Sequence, residues 1–262
     1  MSKQSNQKKK IGCPDNVTEH EYCKTIGRFR LWDCGKKRFI YIKMIIVFNG
    51  PPGSGKDVGC DFLKKMGFKH IEFKSKLFKD TIRFYKVDEK WFYDGYTRDT
   101  KDVTEEKLSG LSRRQALINV SENVRKRLDG EEFYGKIAAD GMVLGSDYCI
   151  SDGGFTEEIG EVINKFGKDE IIFIRLFRDG YDYASDSRRY IRYANEVKEY
   201  VCDHTSDISL HGSYFFDDII DVDGYVVHNN GSLEDLHTSI EDIIRTYNDR
   251  KNTKQTVQRA NF

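Results

Sequence analysis

Between Gly50 and Lys56 the chain reads Gly-Pro-Pro-Gly-Ser-Gly-Lys, a glycine, four residues, then glycine and lysine. That spacing suits the wrapping of a phosphate group. Backbone N–H groups close on an anion only where no side chain stands in the way, which calls for Gly50, Gly53 and Gly55. The Lys56 ammonium then reaches the outer phosphates, and Ser54, Asp57 and Val58 complete the segment bordering them. Ile45 to Phe48 is a short apolar run before the turn, and Val58, Phe62, Leu63 and Met66 follow it at helical spacing. Strand, turn and helix are thus expected in the order that aims a helix N-terminus at the anion. Asp57 stands where a hydroxyl commonly holds Mg²⁺. A carboxylate there can coordinate the metal directly or through water, but it repels phosphate unless a metal or arginines offset its charge.

Four further clusters carry chemistry. Asp152, in Asp152-Gly-Gly-Phe155 after Tyr148 to Ser151, is expected at the tip of a strand beside the phosphate loop, where magnesium and substrate are managed. Arg113 and Arg114 open a helix marked by the capping box Ser112-x-x-Gln115. A helix N-terminus disfavours cations, so the pair is either two solvated arginines or a phosphate site. Arg178, Arg188 and Arg189 follow the apolar strand Glu170 to Arg175, on the same rim as the loop if the sheet is parallel. Asn229-Asn230-Gly231 is a turn after the last strand, and Ser232-x-x-Asp235 caps a closing amphipathic helix.

Positioning these groups on one rim requires strands alternating with helices. Apolar runs near residues 45, 69, 148, 170 and 225, separated by helical patterns, give an α/β chain with a doubly wound parallel sheet of five strands. Residues 86–110 form a charged, aromatic insertion, and 178–192 a lid-like segment. The domain spans 44–249, with a polar tail at 250–262. Residues 1–43 form a basic extension, eleven Lys and Arg against four Asp and Glu, expected to be partly disordered and dispensable because Met44 directly precedes the first core strand. At 262 residues, with 43 basic and 43 acidic side chains, the whole chain has no overall field that favours nucleic acid or a membrane. Six cysteines without a C-x-x-C pair suit reduced thiols in a cytoplasm, and Cys13, His20 and Cys23 fit no structural zinc spacing. No apolar run approaches the roughly 20 residues that span a bilayer, and the N-terminus does not read as a secretory signal.

The glycine-rich loop resembles that of adenylate kinases, and its ending Ser-Gly-Lys-Asp57 is similar to the bacteriophage deoxynucleoside monophosphate kinases. The likeness extends over about 44–247 through Tyr96-Thr-Arg98, Arg113-Arg114, Phe133-Tyr134-x-Lys136 and Asn-Asn-Gly231-Ser-Leu-Glu-Asp-Leu236. The resemblance implies phosphorylation of a deoxynucleoside monophosphate by ATP and Mg²⁺, in a host cytoplasm if phage-encoded, with a homodimer left open. It implies that Arg98, Arg113 and Arg114 grip the monophosphate and Tyr134 stacks on its base. Arg178, Arg188 and Arg189 would neutralise the transferring group, Asn229 and Gly231 would border adenine, and Asp57 and Asp152 would manage the metal. Gly154 departs from that pattern, since the phage enzymes often carry an arginine there, and leaves a substrate contact to be absent or supplied by Arg178. The alternatives are an adenylate kinase-like or other nucleoside monophosphate kinase, and a nucleotide-binding protein without turnover.

Overall fold

The computed structural model describes residues 30–33, 38–41, 44–143, 145–184, 186, 188, 190–201 and 219–260. The group of Cys13, His20 and Cys23, and Arg189, lie outside the described residues.

Two short strands, β1 (Arg30–Asp33) and β2 (Arg38–Tyr41), pair antiparallel in a sheet of their own. The main unit begins with β3 (Ile45–Asn49), followed by α1 (Lys56–Lys65), β4 (Lys69–Ile71), α2 (Lys74–Tyr85) and α3 (Glu89–Asp94). A small hairpin, β5 (Thr104–Glu105) and β6 (Leu111–Ser112), leads into α4 (Arg113–Ile118). A π-helical stretch, Asn119–Arg125, joins α4 to α5 (Lys126–Asp129), and α6 (Phe133–Gly141), β7 (Tyr148–Ile150) and α7 (Thr156–Phe166) follow. The chain then forms β8 (Ile171–Phe177), β9 (Arg192–Val201), β10 (Ile219–His228) and α8 (Leu233–Ala260).

The sheet runs in the order β4-β7-β3-β8-β10-β9, and every neighbouring pair is parallel. The five expected strands are its first five in space. The sixth, β9, was not expected: the lid-like segment ends at 192, and the strand's sequence Arg-Tyr-Ala-Asn-Glu-Val-Lys-Glu-Tyr-Val carries too much charge to signal a buried strand, which suits a place at the sheet edge. Successive side chains on a strand face opposite ways, and β3 shows the consequence. Ile45 and Val47 pack with Tyr134, Ala138, Ile159 and Val162 of α6 and α7, whereas Ile46 and Phe48 pack with Cys60, Leu63, Leu236 and Ile240 of α1 and α8. Helices thus cover both faces, and β3 and β8 are buried along their whole length. Each fully buried Ile or Phe contributes roughly 1.5–3 kcal/mol of transfer free energy.

The insertion forms α3 and half of the small hairpin, and its Phe92 and Leu108 share a small core with Phe78 of α2 and Ala116 and Leu117 of α4. The Asp88 carboxylate accepts from Trp91 N–H and starts α3. The expected capping boxes at Ser112 and Ser232 both form. Along the helical stretch after Ser112, Leu117 and Val120 are buried, but Leu128 is 75% exposed. The π-helical turns between them offset the register by which residues align on one face, so the stripe drifts off the core. The tail also differs from expectation, because α8 continues to Ala260 with no glycine or proline to stop it, and Arg250 and Lys251 pair with Asp223 and Glu170.

Met44 directly precedes the interior strand β3 and is tied to the turn before β7, its N–H donating to Asp147 Oδ1 at 2.9 Å. A chain starting at Met44 keeps this contact through its α-amino group and loses only β1, β2 and the basic stretch. It should melt within about 5 °C of the full chain. Aggregation or a much lower midpoint in a thermal scan would show instead that residues 1–43 cover the domain.

Candidate active site

The turn between β3 and α1 takes the shape its glycines permit. Gly53 and Gly55 have φ of +88° and +109°, a region that L side chains rarely adopt. A Cβ on Gly53 would lie 2.2 Å from the Tyr181 ring, and one on Gly50 would lie 2.7 Å from Leu176 O. Asn229 braces the loop from beneath, donating from Nδ2 to Ser54 O at 2.8 Å, while its own N–H donates to Phe177 O. Gly231 is exposed beside it. Asn229 is therefore a buried support of the loop, 7% exposed.

Lys56 opens α1 and is 8% exposed. Its Nζ donates to the carbonyls of Gly50 and Pro51 at 2.6 and 2.7 Å and has no ion pair among the described residues. Burial, reinforced by the Arg188 guanidinium, holds its pKa down at about 8. A cation satisfied only by its own loop is ready to exchange those carbonyls for phosphate oxygens. The Ser54 hydroxyl, also buried, has no hydrogen-bond partner among the described residues. Asp57 and Val58 are exposed on the first turn of α1.

The Lys56 shift sets an expectation for pH. Phosphate binds the charged ammonium, so ATP affinity should be flat below about pH 7 and fall as pH rises through 8. Lys56→Arg should remove that fall, because guanidinium stays charged. Titration of ATP at several pH values checks this, and a flat profile in the unaltered protein would contradict it. Folding stability runs the opposite way: between pH 8 and 10.5 the unfolded chain binds the extra proton, so this group favours the folded state more as pH rises.

Asp152 sits at the tip of β7, 7% exposed. Its Oδ1 and Oδ2 accept from the N–H groups of Phe73 and Lys74 at 3.0 and 2.9 Å, so it caps α2. Burial raises its pKa, against the Lys74 charge and these backbone donors. Asp152 therefore has a structural task besides the metal role expected of it, and Asp57 is the carboxylate left exposed. Among the described residues no three metal-ligating side chains cluster.

Arg188 lies across Gly154, where an added Cβ would come within 2.5 Å of its Cδ. The space that an arginine at position 154 would need is filled by Arg188. Asp186 grips Arg188 with both oxygens, Nε–Oδ1 2.9 Å and Nη2–Oδ2 2.6 Å, and also meets Arg114 Nη2 at 3.3 Å. Burial opposes ionisation of Asp186, but Arg188 overcomes it and holds the carboxyl down at about 2. Arg178 instead donates to Gly53 O at 3.1 Å and lies 5.2 Å from the centre of the Tyr181 ring. Asn49, at the end of β3, ties these parts together: its Nδ2 donates to Gly153 O and Tyr183 Oη, and its Oδ1 accepts from Ile191 N–H.

Two expected substrate residues are placed elsewhere. Tyr134 is 2% exposed in the core where α6 packs on the sheet, its hydroxyl without a hydrogen-bond partner among the described residues, so it cannot stack on a base. Arg113 is 3% exposed, paired to Glu105 at 2.6 Å and 4.1 Å from the Trp91 ring centre, so it holds the insertion together. Arg98 is exposed in the turn after α3 and pairs with no described residue. Asp186, Asn49 and Lys74 were missed. Asp186 carried a weak signal, an acid two residues before an arginine. Lys74 carried none, although it pairs with Glu72 at 2.8 Å and its charge acts on both Asp152 and Lys56.

No family model matches the sequence, and no curated protein matches it. Among the described residues no helix is long and apolar enough to cross a membrane.

Proposed function

We propose that this chain is a phosphotransferase of the phosphate-binding-loop α/β class that moves the γ-phosphoryl group of ATP to a deoxynucleoside monophosphate. The observation that carries the reading is Lys56, an ammonium held by loop carbonyls alone in a left-handed glycine turn, with Arg188, Asp186 and Arg114 gathered near it. The likeness of Ser-Gly-Lys-Asp57 and the closing motif to phage enzymes supports the deoxynucleotide acceptor.

In this reading an oxygen of the acceptor phosphate forms a bond to the γ-phosphorus, the bond to the β,γ-bridging oxygen breaks, and ADP leaves. Such a reaction needs little covalent help from protein. It needs in-line placement and fixed positive charge. Loop amides and Lys56 hold the donor phosphates, and Arg188 supplies charge to the transferring group. Mg²⁺ enters with ATP, neutralising its phosphates, and Asp57 is the exposed carboxylate that would meet it. Arg114 grips the acceptor. Arg114→Ala should therefore weaken monophosphate binding by about tenfold or more and change ATP binding little, since one charge-assisted hydrogen bond is worth roughly 1.5–3 kcal/mol. Separate titrations of each ligand distinguish the two, and equal losses would place Arg114 elsewhere.

The reading is tested with purified protein, ATP-Mg²⁺ and panels of deoxynucleoside and nucleoside monophosphates, scored by ADP release. Turnover with one or more deoxynucleotides and little with matching ribonucleotides is expected. Equal rates on AMP and dAMP would favour an adenylate kinase-like enzyme, and ATP binding with no turnover a non-catalytic protein.

A further inference from the structure

Asp186 stands between two arginines that belong to different parts of the fold. Its own segment fixes it first: the Asp186 N–H donates to Tyr183 O at 2.9 Å, and Oδ1 accepts from Arg188 N–H and Nε at 3.0 and 2.9 Å. The other oxygen is shared. Oδ2 accepts from Arg188 Nη2 at 2.6 Å and from Arg114 Nη2 at 3.3 Å. Arg114 is anchored elsewhere, because its N–H donates to Lys101 O at 3.0 Å and its neighbour Arg113 is locked to Glu105 and Trp91. The start of α4 is thus held by the insertion, and Asp186 alone ties Arg114 to Arg188. Three contacts join Asp186 to Arg188, against one longer contact to Arg114, so the Arg114 contact is the one that can exchange. The carboxylate side chain is 4% exposed, whereas those of Arg114 and Arg188 are 24% and 25% exposed. An anion from solvent therefore reaches the guanidiniums and not the carboxylate.

We propose that Asp186 is an internal stand-in for phosphate, a latch that holds Arg114 on the lid-like segment until the phosphate of the acceptor displaces it. The inference rests on the kinase reading above for the identity of that acceptor. Two guanidiniums against one carboxylate leave the cluster an excess of positive charge, and a phosphate dianion offers Arg114 more charge and more acceptor oxygens than the shared Oδ2. The latch lowers apparent affinity, because only the molecules whose Arg114 has let go are competent to bind. It also screens ligands by charge. A nucleoside without phosphate has nothing to offer Arg114 in exchange and leaves it on Asp186.

Calorimetry on the full-length protein tests this, with β,γ-methylene ATP and Mg²⁺ filling the glycine loop so that a second anion reports on the arginines. Inorganic phosphate and the four deoxynucleoside monophosphates are titrated separately. Asp186→Asn should tighten phosphate, and each monophosphate that binds, by about fivefold or more, since the amide turns a donor toward Arg114 in place of an acceptor. A merely structural Asp186 would give the opposite sign. In an Arg114→Ala background the same substitution should change affinity by less than about twofold, because there is no contact left to release. A gain that persists without Arg114 overturns the latch, as does weaker or unchanged binding in Asp186→Asn. Should that variant fail to fold, side-chain NMR of ¹⁵N-arginine in the wild-type protein decides: phosphate should shift the Arg114 resonance, assigned by its absence from Arg114→Ala, and binding without that shift overturns the latch. Phosphate reports on the latch whatever nucleotide the site takes. An Arg114-dependent gain in a protein that transfers no phosphoryl group would remove the kinase reading and keep the latch, whereas turnover without such a gain would do the reverse.

Discussion

Lys56→Ala should slow phosphoryl transfer on the order of a hundredfold or more with almost no change in melting temperature, because the charge it removes is preorganised at the transferring phosphate. The two effects separate for a physical reason. In the folded chain Lys56 gives two hydrogen bonds to neutral carbonyls and has no described ion-pair partner. Its ammonium is disfavoured by burial, as the pKa near 8 records. Removing it forfeits modest hydrogen bonds and relieves a buried charge, so stability is nearly balanced. In the complex the same ammonium faces phosphate oxygens away from water, where each interaction is stronger. Steady-state rates and a thermal scan of the same preparation check both halves. Near-normal turnover would show that the glycine loop is structural in this protein.

Arg188→Ala should have an effect at least as large, about a thousandfold on turnover, the scale at which an arginine stabilises transferring phosphoryl charge. Asp186 holds the Arg188 guanidinium through both oxygens, which restricts its orientation before any ligand arrives. ATP affinity should change only a few-fold, because the loop and Lys56 remain. Arg188→Lys should recover little, since an ammonium cannot make the paired contact with Asp186. Removal of Arg188 leaves Asp186 with Arg114 as its described partner, so some loss of stability is expected too. The lysine variant keeps a positive charge there and separates the two causes. Rates of Arg188→Ala within tenfold of the unaltered protein would remove Arg188 from the transfer step.

The parts of this site that could be read from the sequence are those fixed by local backbone chemistry. Gly53, Gly55 and Lys56 occupy one turn, and their geometry follows from spacing. Ser112 and Ser232 cap helices through residues three positions away. The strands β3 and β8 declare themselves because burial on both faces demands unbroken apolar runs. What the sequence hid depends on contacts between distant residues. Arg113 and Arg114 are neighbours of equal type, yet one is buried against Trp91 and Glu105 while the other meets Asp186, 72 positions away. Nothing local distinguishes them. Tyr134 was assigned to a base by the resemblance of Phe133-Tyr134-x-Lys136, and only the packing of α6 on the sheet shows that it is core. Gly154 looked like a missing contact until Arg188 was seen to fill its place.

The central claim is that a phosphoryl group passes from ATP to a deoxynucleoside monophosphate on this chain. Phosphorus NMR of one sample holding the protein, ATP-Mg²⁺ and a mixture of the four deoxynucleoside monophosphates observes that transfer directly. The account predicts loss of the ATP γ resonance with matching growth of deoxynucleoside diphosphate and ADP signals, and no comparable growth in a Lys56→Ala sample. Inorganic phosphate accumulating in place of the deoxynucleoside diphosphate, or an unchanged spectrum, would contradict it.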